Sequence, residues 1–225
     1  MADAASNLTL RVVSAAVMAP LALFTTYLGG WPFALLWVAA ALAVLWEWIK
    51  LVVGPGWIVA GIAYAGVLLV APLVLRSDSE FGLLAMLILF GVVWTTDVLG
   101  YFAGRAFGGP KLMPTISPKK TWSGAIAGTL GAMIVAVLLA KSFGSFHGIA
   151  IALVALLLSM MAQLGDLFES WIKRRFGAKD ASQLIPGHGG VMDRLDGFWA
   201  AALVACVIGV LRGGFGNPAA GLLVW

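Results

Sequence analysis

Five acidic residues stand where an uncompensated carboxylate is costly. Asp97 follows Trp94-Thr95-Thr96, late in an apolar run. Asp166 and Glu169 close a second run, and Asp193 and Asp196 open a third. On a helix, a spacing of three puts the members of each pair on one face. An ionised carboxylate beside hydrocarbon costs several kcal/mol unless it is paired or bound to metal. Carboxylates gathered together repel one another, and a hard divalent cation such as Mg²⁺ removes that repulsion. Mg²⁺ is commonly held by one or two carboxylates plus substrate phosphates. Neutralising nearby Lys and Arg is the competing role for the same acids, and composition alone does not choose between the two.

The basic residues point to phosphate. One segment carries Gly108-Gly109-Pro110-Lys111 and then Ser117-Pro118-Lys119-Lys120-Thr121-Trp122. A second carries Lys173-Arg174-Arg175, Lys179, Gly187-His188-Gly189-Gly190 and Arg194. A polyphosphate needs cations, backbone N–H groups and hydroxyls, and both segments offer all three. The glycines beside His188 let backbone approach a ligand closely. Ser117 and Thr121 precede a helix whose N-terminus favours anions. His188 is a candidate acid, base or hydrogen-bond donor to phosphate, and a structural role in its glycine-rich turn is the alternative. His147 falls on the opposite side and is assigned nothing.

The elements that must position these groups are membrane spans. The chain of 225 residues is 62% hydrophobic and 11% charged, with a mean hydropathy of +1.02. A water-soluble domain of this size has no place to hide so much apolar surface. Seven apolar segments are predicted to cross a bilayer: 9–29, 31–49, 57–75, 81–103, 122–140, 147–168 and 196–212. They are continuous rather than alternating, so they read as helices. The first run follows Asp3, contains Arg11 and is long enough to span, so it reads as a span and not a cleaved signal. The expected fold is all-α: a polytopic membrane protein of about seven helices with two charged loops, 104–121 and 169–195. It forms a single membrane domain over 1–225, with N-terminal helices to 93, a catalytic part over 94–199 and a last helix and tail from 200. Cys206 is the single cysteine, which excludes an intramolecular disulfide. The net charge of +4 does not suggest nucleic acid. Counted over alternate loops from the N-terminus, eleven of the fourteen Lys and Arg fall on one side, which the positive-inside rule places in the cytoplasm.

The string Ser170-Trp171-Ile172-Lys173-Arg174, then Lys179-Asp180-Ala181-Ser182-Gln183-Leu184-Ile185-Pro186-Gly187-His188-Gly189-Gly190-Val191-Met192-Asp193-Arg194-Leu195-Asp196, closely resembles the signature of phosphatidate cytidylyltransferases. Trp94, Asp97, Tyr101, Gly104, Gly108 and Ser117-Pro118-Lys119-Lys120-Thr121-Trp122 resemble the same family. The resemblance implies that CTP and phosphatidate give CDP-diacylglycerol and pyrophosphate at a cytoplasm-facing site in a bacterial inner membrane. It implies a divalent metal, Mg²⁺, at positions matching Asp166 and Asp193, with Asp196 or Glu169 completing the shell. A second, monovalent cation such as K⁺ is associated with such sites. Lys119, Lys120, Lys173, Arg174, Lys179 and Arg194 are expected to neutralise the two substrates' phosphates. Ser117, Thr121, Ser170, His188, Gly189, Gly190 and Asp97 are expected to contact substrate or the second cation. A homodimer is compatible with this reading. Many relatives carry Glu after the Lys-Lys-Thr-Trp run where this chain has Ser123, so no role of that Glu transfers.

Two other classes compete. An ion-coupled transporter predicts ionisable residues near the midplane and on both sides, but here they crowd at one end. A CTP-dependent polyprenol kinase or a CDP-alcohol phosphotransferase would use similar groups. The phosphotransferase pattern needs further aspartates downstream, and no Asp or Glu follows Asp196.

Overall fold

In hydrocarbon no water satisfies backbone N–H and C=O groups, so each apolar run closes its hydrogen bonds internally as a helix. The computed structural model describes residues 2–144, 147–185 and 189–225. Its elements are α1 (Ala2–Leu28), α2 (Gly30–Leu51), α3 (Pro55–Arg76), α4 (Gly82–Phe107), β1 (Lys111–Met113), β2 (Ser117–Thr121), α5 (Trp122–Phe143), α6 (Gly148–Arg175), α7 (Met192–Leu195), α8 (Phe198–Gly213) and α9 (Pro218–Leu223). The seven expected spans correspond to α1–α6 and α8. Five of them, α2 to α6, are long and apolar enough to cross a membrane, while Val13–Leu28 and α8 are shorter apolar helices. The chain is an all-α, multi-pass membrane protein.

Outward faces confirm lipid as the solvent. Along α5, Trp122, Ile126, Leu130, Ile134 and Leu138 recur every fourth residue and all stay exposed. The core lies between the helices, where Trp48, Leu68, Met86, Leu89, Leu158 and Met192 are fully buried. Phe198 at the start of α8 stacks on Trp37 of α2 (4.8 Å) and on Phe90 of α4 (5.3 Å). Aromatic packing thus gathers three helices beneath the charged end.

Three boundaries differ from the sequence expectation. Segment 104–121 is not an open loop. Its second half is an antiparallel hairpin pairing Lys111 with Thr121 and Met113 with Ser117. The second charged loop begins at Phe176 rather than 169, because α6 runs on to Arg175. Lys173 and Arg174 are therefore last-turn helix residues, where cations meet the negative end of the helix. The tail forms α9, which folds back on α8. Asp78 joins it to the turn before α4: its Oδ2 accepts the Ala220 N–H (2.9 Å) and its Oδ1 accepts the Phe81 N–H (2.9 Å).

Helices α4 and α5 touch backbone to backbone. A Cβ on Gly128 would stand 2.5 Å from the Thr96 carbonyl, and one on Gly124 would collide with the Gly100 carbonyl. Small residues permit this approach between spans. Gly128→Ala is expected to separate the pair and cost about 1–3 kcal/mol, read as a lower melting temperature in detergent. Gly66→Ala, where a Cβ meets nothing within 4 Å, should leave the melting temperature unchanged or slightly raised.

Candidate active site

Helix α4 supplies Asp97, α6 supplies Asp166, and the turn around α7 supplies Asp193 and Asp196. All four aspartates line one cavity of about 730 Å³. The hairpin lays Lys119 and Lys120 over it, with Arg194 from the α7 turn. The volume is within the range of small-molecule sites, which run from about 300 to 1,000 Å³. Acidic and basic walls in one cavity can hold a metal and a polyphosphate together.

The Lys120 ammonium donates to Asp166 Oδ2, joining the hairpin to α6. Both side chains remain partly accessible to the cavity, at 28% and 21%. Ser170, one turn beyond Asp166, donates to its Oδ1 at 3.4 Å. Thr121 lines the cavity but is already engaged as the N-cap of α5, accepting from the Gly124 N–H at 3.2 Å. Ser123 donates to the Gly108 carbonyl at 2.5 Å and so ties the end of α4 to the start of α5.

Asp193 is held more tightly. Its Oδ1 accepts from Lys173 Nζ at 2.6 Å, and its Oδ2 accepts the N–H groups of Gly190 (2.7 Å) and Ala181 (3.1 Å). Burial opposes ionisation of Asp193. The Lys173 ammonium and the Gly190 N–H outweigh it and hold the carboxyl below its ordinary range. Gly189 has φ +88°, and a Cβ there would press on Asp193 Oδ2 at 2.8 Å. Glycine at that position is thus required both by the turn and by the carboxylate it wraps.

The remaining expected residues lie around the cavity rather than in its lining. Lys173 is buried and also pairs with Glu169 Oε2 at 2.7 Å, across one helical turn. Glu169 is fully buried, and neither of its oxygens accepts a well-directed hydrogen bond among the described residues. Arg174 is exposed and donates to the Ala178 carbonyl at 2.9 Å. Lys179 is exposed, and Ser117 sits half-buried at the turn end of the hairpin, paired with Met113. Gly190 contributes its N–H to Asp193. His188 lies outside the described residues.

Two sets of polar residues went unassigned in the sequence. Thr96, Thr129, Ser159 and Gln163 form a hydrogen-bonded group between α4, α5 and α6, with Thr96 and Gln163 at the cavity floor. Glu47 of α2 is fully buried and accepts from Ser182 Oγ and from the N–H groups of Val191 and Met192. The available signal was a lone acid between Trp46 and Trp48 in an otherwise apolar run.

Whether the donor set suits a divalent cation follows from its chemistry. Among the described residues no three His, Cys, Asp or Glu side chains already converge as a closed cage. The cavity offers hard carboxylate oxygens from separate elements and room beside them. That suits Mg²⁺, which keeps few protein ligands and completes its shell from phosphate and water.

Comparison with known proteins agrees with this chemistry. A family model described as "Cytidylyltransferase family" matches residues 53–211. A Brucella abortus (strain 2308) protein called phosphatidate cytidylyltransferase is 38% identical, over 92% of this chain and 94% of the relative. Relatives of the same name from Rickettsia felis and Rickettsia typhi are 33% and 32% identical, over 91% and 84% of this chain and 93% and 86% of their own lengths.

Proposed function

The chain belongs to the cytidylyltransferase family, and from that premise we propose how its residues make CDP-diacylglycerol from CTP and phosphatidate. The observation that carries the proposal is the cavity in which four aspartates from three elements, α4, α6 and the α7 turn, face Lys119, Lys120 and Arg194.

The phosphatidate phosphate is already an oxyanion. One of its oxygens forms a bond to the α-phosphorus of CTP as the bond to the β-phosphate oxygen breaks, and pyrophosphate leaves. No side chain has to remove a proton from the nucleophile, so positioning and charge neutralisation dominate. Lys119, Lys120 and Arg194 hold the two phosphate groups against each other. Asp166, Asp193 and Asp196 are the residues that would hold Mg²⁺, whose charge offsets that of the triphosphate. Asp97 is assigned to a monovalent cation or to orienting Lys120. Lys173, shared by Glu169 and Asp193, keeps the Asp193 side ordered rather than meeting substrate. The exposed Arg174 and Lys179 attract the anionic substrates from the entrance.

The same proposal puts the charged end at the cytoplasm, supported by the eleven basic residues that precede or follow the spans on that side. It takes the membrane to be the bacterial inner membrane, where the diacyl tails stay in lipid and only the headgroup enters the cavity.

The test supplies α- or γ-labelled CTP and phosphatidate to the detergent-solubilised protein. CDP-diacylglycerol and pyrophosphate should form, and EDTA should stop the reaction until Mg²⁺ is restored. Release of CDP with transfer of the γ-phosphate to lipid would overturn the reading in favour of a lipid kinase.

A further inference from the structure

The segment that carries Asp193 is gripped from behind by a carboxylate on another helix. Glu47, near the end of α2, is fully buried. Its Oε1 accepts from Ser182 Oγ at 2.6 Å and from the Val191 N–H at 2.8 Å, and its Oε2 accepts the Met192 N–H at 2.7 Å. Gly190 lies against the same group, with room for no side chain: a Cβ there would stand 2.7 Å from Oε1. We infer that Glu47 is a positioning residue, which pins Ser182 and residues 190–192 so that Asp193 presents its carboxylate to the cavity. The inference rests on reading that cavity as the nucleotide and cation site.

The chemistry of the contact is specific to an anion of this length. Three donors converge on one carboxylate, and its two oxygens accept all of them. A Gln at this position has one acceptor and one donor, so its NH₂ must face a backbone N–H or displace the Ser182 hydroxyl. Val191 and Met192 also begin the turn that contains Asp193. Asp193 itself reaches back to the Gly190 N–H at 2.7 Å. The turn is therefore clamped twice, by Asp193 from within and by Glu47 from α2. Without Glu47 the direction of the Asp193 carboxylate rests on that self-made bond and on Lys173 and Ala181. Partners that orient a ligand's neighbours commonly cost about 10- to 100-fold in activity or metal affinity when removed.

Glu47→Gln in the full chain tests this, with two readouts. Hydrogen–deuterium exchange of the detergent-solubilised protein without substrate should show faster exchange at Val191 and Met192 than in the unmodified protein. In the CTP assay kcat should fall about 10- to 100-fold, and half-maximal activity should need more Mg²⁺. The KM for phosphatidate should stay within about twofold, since its binding groups are untouched. Gly190→Ala pushes the same carboxylate aside and should give the same faster exchange, and it decides the matter alone if the Gln variant does not accumulate. Unchanged exchange overturns the inference, as does faster exchange with normal kcat and Mg²⁺ dependence. Unmodified protein that makes no CDP-diacylglycerol would sink the functional reading instead, leaving the exchange result to stand on its own.

Discussion

Asp166→Asn is expected to lower turnover by about three orders of magnitude, some 4 kcal/mol of transition-state stabilisation, while the protein stays folded in detergent. Asn keeps the shape of Asp, and its carbonyl oxygen still accepts from Lys120 or Ser170, the two partners of Asp166. What disappears is the negative charge that balances Lys120 and draws a divalent cation to the cavity. The site is partly accessible, so the stranded ammonium finds water, and the stability cost is small. The check is a CTP-dependent assay of CDP-diacylglycerol formation beside a melting curve. Activity near that of the unmodified protein would remove Asp166 from the metal assignment.

Asp193→Asn is expected to abolish activity to the same degree and also to destabilise the protein. All the groups around this carboxylate are donors: the Lys173 ammonium and the Ala181 and Gly190 N–H groups. Whichever way an Asn amide turns, its NH₂ faces a donor. Lys173 is only 10% exposed and keeps Glu169 alone. Breaking a buried pair costs about 3–5 kcal/mol, and the surviving partner puts this case at the low end. The melting temperature should therefore drop for Asp193→Asn and hold for Asp166→Asn. Equal melting behaviour in the two variants would show that the Lys173 cluster is not what orders the turn.

The spans were legible because hydrocarbon leaves the backbone few options: a run such as 57–75 has to be helical. The hairpin was not, since Gly108-Gly109-Pro110 and Ser117-Pro118 signal only a break in helix. Its register depends on pairing across the turn, and its place depends on Lys120 meeting Asp166, forty-six residues away. Gathering the acids at one end could be read from where each sits in its run. Which of them faced the cavity could not. Glu169 and Lys173 are four apart, a spacing at which two charges pair on a helix, and they pair here outside the cavity lining. Glu47 was invisible for a different reason. One acid in an apolar span declares a partner without saying where in the chain that partner lies.

The backbone contact between α4 and α5 bears on how the enzyme responds to its bilayer. Spans answer a change in hydrocarbon thickness by tilting. Two helices whose backbones touch at Gly124 and Gly128 cannot easily tilt independently or slide past each other, so they lean as one plank. Asp97 rides on one and Lys120 stands at the foot of the other. Their separation should then be the same in thin and thick membranes, and lipid length should alter how readily a headgroup arrives rather than the layout it meets.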